Sequence, residues 1–195
     1  MYSTCKEEAG RNIFQIGTAG AVTALAGAEV ICRDVAGVDV NMGCPKHFSV
    51  SGGMGAALLE KPEVVVDILK TLKRNLPVPV TAKIRLLPDA KDTLDLVKII
   101  EATGVHAIAV HGRTRDMRKE VPAKWEEIKA IVDGANLSIP LILNGDVFQH
   151  SDIEKARQAT GTLFSSSARL ELANFWNRSF QCYDCAGSNV GCIHF

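Results

Sequence analysis

The sequence predicts an α/β fold of repeated βα units, carried on a parallel sheet that is either open or part of a barrel. Short apolar runs alternate with helical stretches from residue 13 to about residue 166. The spacing between successive runs suits one crossover helix per pair of strands. Polar, chemistry-bearing residues recur where the apolar runs end, the edge at which parallel βα connections display their functional loops. An open doubly wound sheet fits 195 residues, whereas a closed barrel needs eight strands and usually about 250 residues. No G-x-G-x-x-G motif follows any of the runs, so the dinucleotide fingerprint is absent.

The elements follow in order. Ile13 to Gly17 reads as a strand, and the Ala-rich stretch from Ala19 to Cys32 as a helix. Val38 to Asn41 is the next strand. Ala56 to Arg74 has helical composition, with Pro62 near its start and apolar residues at Val65, Ile68, Leu69 and Leu72. Pro79 to Leu86 is a strand. Asp92 to Thr103 is a helix with Leu94, Val97 and Ile100 near one face, widened by Leu96 and Ile99, and Gly104 caps it. His106 to His111 is a strand and Lys124 to Val132 a helix. Ile139 to Asn144 is the fifth clear strand, and Ser151 is a cap-like start to another helix. Thr162 to Ser166 is a sixth, weaker strand.

Composition narrows the function classes. Hydrophobic residues make up 47% and charged residues 23%, the mix of an ordinary globular domain. With 22 basic and 22 acidic residues the formal net charge is zero, so strong nonspecific nucleic-acid binding is not written into the overall charge. No run of about 18 apolar residues occurs, and no membrane span is expected. The start lacks a basic-then-apolar signal pattern, so a cytoplasmic location is expected. Cysteines stand at 5, 32, 44, 182, 185 and 192. The first three are scattered through the α/β pattern, which argues for reduced thiols rather than a disulfide framework.

The strand ends carry the candidates. Asp39-Val40-Asn41-Met42-Gly43-Cys44-Pro45-Lys46 runs from a strand into a turn that presents one thiol, Cys44, with the amide of Asn41 and the ammonium of Lys46 nearby. Gly52-Gly53-Met54-Gly55 then opens a helix. Cys44 as a reactive group and Cys44 as a small buried hydrophobe carry even weight on this local pattern. In Val78 to Arg85, alternation puts Lys83 and Arg85 on one face. A cation inside a strand is costly unless it meets an anion or an electron-rich ring. His111 with Gly112 and Arg113 ends another strand, and a lone His there is more often structural than catalytic. Asn144-Gly145 is a turn whose backbone amides could face an anion. Arg113, Arg115, Arg118 and Lys119 form a basic cluster, which is usually a solvated loop and is a phosphate-backbone contact only beside a nucleotide site.

Together DVNMGCPK, GGMGAALL, TAKIR, AVHGR and NGD resemble the tRNA-dihydrouridine synthase family, in particular the eukaryotic cytoplasmic, position-20 class that acts on the D-loop. The five motifs occur in family order across roughly residues 12 to 160. The resemblance implies a (β/α)8 TIM-barrel type fold, incomplete here with about six of eight βα units. It divides the chain into a partial barrel over residues 1–169 and an atypical tail over 170–195. It also implies reduction of a tRNA uridine to 5,6-dihydrouridine with FMN as cofactor and NADPH as reductant, and tRNA as partner. Cys44 matches the family's catalytic cysteine, the proton donor to uracil C5. Gln15, Lys83 and His111 match flavin-contacting positions; Asn144, Gly145 and Asp146 match the phosphate turn, with Ala168 and Arg169 at a second phosphate pair. Asn41, Lys46, Arg85 and Arg113 fall near the substrate.

Two departures stand out. The family usually has a second glycine where this chain has Asp146, and an acid beside a phosphate is unfavourable unless it points away. The ends also differ: about two βα units that precede the strand at Phe14 in the family, its helical domain and its double-stranded-RNA-binding domain have no counterpart. Cys182-x2-Cys185 followed by Cys192-x-His194 lacks a standard ligand spacing, so no metal is expected. Two other readings remain. One is an FMN barrel acting on a free pyrimidine. The other is an inactive truncated form that serves, if at all, as an interaction module.

Overall fold

The computed structural model describes residues 11–162 and 164–166. Six strands form one wholly parallel sheet: β1 (Ile13–Ile16), β2 (Gly37–Met42), β3 (Val80–Leu86), β4 (Ala107–Thr114), β5 (Leu141–Asn144) and β6 (Phe164–Ser166). They lie in the order β1-β2-β3-β4-β5-β6. Each strand pairs with its neighbour in sequence, and a helix crosses over between them. That order is the winding of a (β/α)8 barrel, not of a doubly wound sheet, which reverses direction at a switch point. The fold is therefore α/β of the TIM-barrel type, an incomplete arc of six strands among the described residues.

The helices are α1 (Ala21–Ile31), α2 (His47–Ser51), α3 (Pro62–Asn75), α4 (Ala90–Glu101), α5 (Trp125–Ala135) and α6 (His150–Thr160). Strand alternation separates two faces. On β3, Val80, Ala82, Ile84 and Leu86 are buried against the helices, while Thr81, Lys83 and Arg85 between them are half-buried. Phe14 and Ile16 on β1, Val38, Val40 and Met42 on β2, and Ile108 and Val110 on β4 extend the helix-facing layer. α3 meets it with Val65, Ile68, Leu69 and Leu72, all fully buried. Each such side chain contributes about 1.5–3 kcal/mol relative to exposure.

Several boundaries differ from those read in the sequence. The predicted helix from Ala56 to Arg74 is two elements. A 3-10 helix covers Gly55–Glu60, and α3 begins at Pro62, whose missing N–H costs nothing in a helix's first turn. Between the Cys44 turn and Gly52, where no helical pattern is read, lies the short α2. Ser151 is not the cap of α6: Gln149 is, sharing a reciprocal capping box with Asp152. β4 runs three residues past His111 to Thr114 because it bulges: Arg85 pairs with His111, but Leu86 pairs with Thr114.

Candidate functional site

Register places the predicted residues in rows across the other face of the sheet. Gln15 lies beside Asp39 and Asn41 beside Lys83; Arg85 lies beside His111, and His111 beside Asn144. The residues read off separate strand ends thus form one polar surface at the C-terminal edge.

At its first corner the β2 turn is fixed by side chains. The Asn41 Oδ1 accepts from the backbone N–H of Gly43 (3.0 Å) and of Cys44 (2.9 Å), an Asx-type turn. The Asn41 Nδ2 donates to Gln15 Oε1 at 2.8 Å, and Gln15 Nε2 donates to Asp39 Oδ2 at 2.6 Å. Arg85 crosses from β3. Its Nε donates to Gly43 O at 2.8 Å and its Nη1 to Thr114 O at 3.0 Å, so one guanidinium ties the Cys44 turn to β4. Burial first, then the Arg113 charge, lowers the Arg85 pKa, against a counter-effect from Cys44. Cys44 is half-buried, and Lys46 is exposed at the start of α2.

The turn is sealed from behind by Gly55. Its φ of +58° lies in the left-handed region, and a Cβ there would sit 2.6 Å from the Cys44 carbonyl oxygen and 2.9 Å from the Cys44 Cβ, closer still to Ser49 Oγ. Glycine alone lets the 3-10 helix pass this close, and Ala56 N–H then donates to Cys44 O at 2.9 Å.

The opposite corner is the β5 turn. Asn144 is buried, and Gly145 follows with φ +112°. A Cβ on Gly145 would meet Ala123 Cβ at 3.1 Å and His111 Cε1 at 3.3 Å. Trp125 Nε1 donates to Gly145 O at 3.0 Å, fixing the turn from α5. Asp146 (φ 59°) turns its carboxylate to protein: Oδ1 accepts from Arg113 Nη2 at 2.6 Å and Oδ2 from Ala123 N–H at 2.6 Å. Arg113 is only 6% exposed, and it also donates to the carbonyls of Val121 and Lys119. The β4 bulge swings it toward the 114–121 loop, so its Nε and Nη2 donors are committed within the protein. In that loop Arg115 pairs with Glu60 at 2.7 Å.

Between the corners stand Lys83, Arg85 and His111. Burial above all, and then the charges of Lys83, Arg85 and Arg113, lower the His111 pKa from 6.5 to about 3, so the ring is neutral. Its Nδ1 is buried and has no hydrogen-bond partner among the described residues. A buried ring nitrogen left over beside two cations and a glycine turn is a place where a polar, anion-bearing ligand fits. The second phosphate pair, Ala168 and Arg169, and the cysteines of the tail lie outside the described residues.

The sequence reading passed over Asp39, Thr81 and Trp125. Trp125 opens a helix and carries no motif. Asp39 and Thr81 are legible only in pairing, since Thr81 stands beside Asp39 in the register and donates to its Oδ1 at 2.6 Å.

The family model described as dihydrouridine synthase (Dus) matches residues 1–174. The tRNA-dihydrouridine(20) synthase of Schizosaccharomyces pombe is 45% identical over 177 residues, covering 86% of this chain and 37% of that protein. A human tRNA-dihydrouridine(20a/20b) synthase-like protein is 41% identical over 150 residues, covering 75% and 46%. The chain thus spans less than half the length of these relatives. Among solved structures, a Ruminococcus gnavus sialic acid aldolase superposes with a TM-score of 0.56 at 15% identity, over 82% of this chain and 55% of its own. At that identity the likeness speaks for the barrel winding alone. With the family model spanning most of its length and the motif residues gathered on one edge of the sheet, the chain belongs to the dihydrouridine synthase family.

Proposed function

We propose that this chain carries the catalytic face of a flavin-dependent tRNA-dihydrouridine synthase, a cytoplasmic enzyme that reduces a D-loop uridine with NADPH as reductant. The observation that supports this most is the Cys44 turn, held by Asn41 and Arg85 at the same sheet edge as Lys83 and His111. FMN, when bound, supplies the reducing equivalents. Gln15, Lys83 and His111 would hold its ring, and the Asn144-Gly145-Asp146 turn its phosphate, with Trp125 and Arg113 bracing that turn. A cation at the ring's carbonyl edge favours the anionic reduced form. Asp146 meets the objection raised by an acid at this place: its charge is spent on Arg113 and Ala123 N–H.

Cys44 would hold the proton that goes to uracil C5, a role open to a neutral thiol brought against the base. Asn41, Lys46 and Arg85 would orient the base, which has to leave its stack to reach them. The test is the full chain with FMN, NADPH and unmodified tRNA. The expected results are a flavin band near ~450 nm, dihydrouridine in the product, and a Cys44→Ala chain that keeps the flavin but loses turnover. A colourless chain that takes up no FMN overturns the reading and leaves the truncated, inactive alternative.

A further inference from the structure

Asp39 has no part in the chemistry above, yet it is 1% exposed, the least exposed charged side chain among the described residues. Burial pushes its pKa up, against Thr81, Gln15 and Lys83, so keeping a carboxylate here is costly. Its hydrogen bonds show what it does. Both oxygens accept, Oδ1 from Thr81 and Oδ2 from Gln15. From Oδ2 the donors run one way: Gln15 Nε2 to Asp39, Asn41 Nδ2 to Gln15 Oε1, and Cys44 N–H to Asn41 Oδ1.

An amide side chain can turn end for end, so it needs a neighbour to set its direction. Both Asp39 oxygens accept here, so Gln15 presents its NH2 to Oδ2, which leaves Oε1 toward Asn41. Asn41 in turn presents Nδ2 to Gln15 and Oδ1 to the turn. We infer that Asp39 is a positioning residue: through Gln15 and Asn41 its carboxylate fixes the backbone that carries Cys44. The functional meaning rests on Cys44 being the reacting thiol, but the positioning itself does not.

The test uses the full 195-residue chain without flavin or tRNA. Iodoacetamide alkylation is followed peptide by peptide, comparing Cys44 with Cys32, a buried thiol just past α1. Asp39→Leu removes both acceptors, and the Cys44 rate is expected to rise about fivefold, the weight of one ordinary hydrogen bond. The Cys32 rate stays within about twofold of the parent, since the loosening is confined to the β2 turn. Asp39→Asn is the rescue: its carbonyl still accepts from Gln15 while the Thr81 hydroxyl turns to accept from its NH2, so the Cys44 rate stays near the parent's. Where Asp39→Leu fails to fold, Gln15→Leu cuts the same chain one link later and gives the same rise. An unchanged Cys44 rate in a folded variant overturns the inference. So do Cys44 and Cys32 rising together, and Asp39→Asn behaving like Asp39→Leu. Because no turnover is measured, these outcomes are separate from those that decide the enzyme reading.

Discussion

Replacing Asp146 by glycine, the residue common at this place in the family, is expected to destabilise this chain. Taken alone, the backbone argument says the reverse, because Asp146 has φ 59° and relief of left-handed geometry returns about 1 kcal/mol. Against that stand two hydrogen bonds of 2.6 Å, from Arg113 Nη2 and from Ala123 N–H. Removing one partner of a buried ion pair costs about 3–5 kcal/mol, much of it from the stranded charge. The Arg113 side chain is 7% exposed and that of Asp146 is 24%, so the low end, about 3 kcal/mol, is appropriate. The net is a loss of about 2 kcal/mol, or about 4–8 °C in Tm for a domain of this size. Thermal unfolding followed by circular dichroism reads it directly. Arg113→Met added to Asp146→Gly should then cost far less than Arg113→Met alone, because the stranded charge has gone. An Asp146→Gly chain as stable as the parent, or effects of the two changes that simply add, would refute the reasoning.

Other outcomes follow from the same geometry. Gly55→Ala should lose about 2–4 kcal/mol, from overpacking against Ser49 and Cys44 plus strain at φ +58°; urea unfolding measures it, and a shift below about 0.5 kcal/mol contradicts the contact. Since the His111 pKa is lowered in the folded chain, from 6.5 to about 3, the unfolded chain takes up the proton first. Stability is then full above about pH 6.5 and falls as pH drops toward 3, and His111→Gln should flatten that slope in melts taken across the window. Trp125→Phe removes the donor to Gly145 O and should weaken FMN binding about fivefold with a small change in Tm; equal affinity by flavin fluorescence titration would count against a bracing role.

Sequence reading reached the succession of strands and helices because that rests on local signals, whereas the barrel winding entered only through the motif resemblance. Lys83 and Arg85 share a face by simple alternation, and the thiol of Cys44 stands at a strand end that glycine and proline punctuate. What it missed depends on pairing between strands. Thr81 and Asp39 are 42 residues apart and meet only through register. Arg113 reads in the sequence as a cation near the substrate; its link to Asp146 depends on the β4 bulge, which no composition signal marks. Gln149 capping α6 in place of Ser151 is a contest between near-equal neighbours that only the capping box with Asp152 decides.

The strand order has a consequence for how the chain acquires its structure. Among the described residues every strand bonds only to the strand before and after it in sequence, so this sheet can grow by adding one βα unit at a time. Such an arc is a quasi-one-dimensional array, in which nearest-neighbour interfaces carry the stability. Short-range pairing keeps the loop-closure entropy of each step low. A chain of this kind can fold from its N-terminus during synthesis, each new strand docking on a template already in place. Its cooperativity should also fade with distance along the order, so that a lesion in β5 is felt in β4 well before β1, a gradient that amide hydrogen exchange can trace strand by strand.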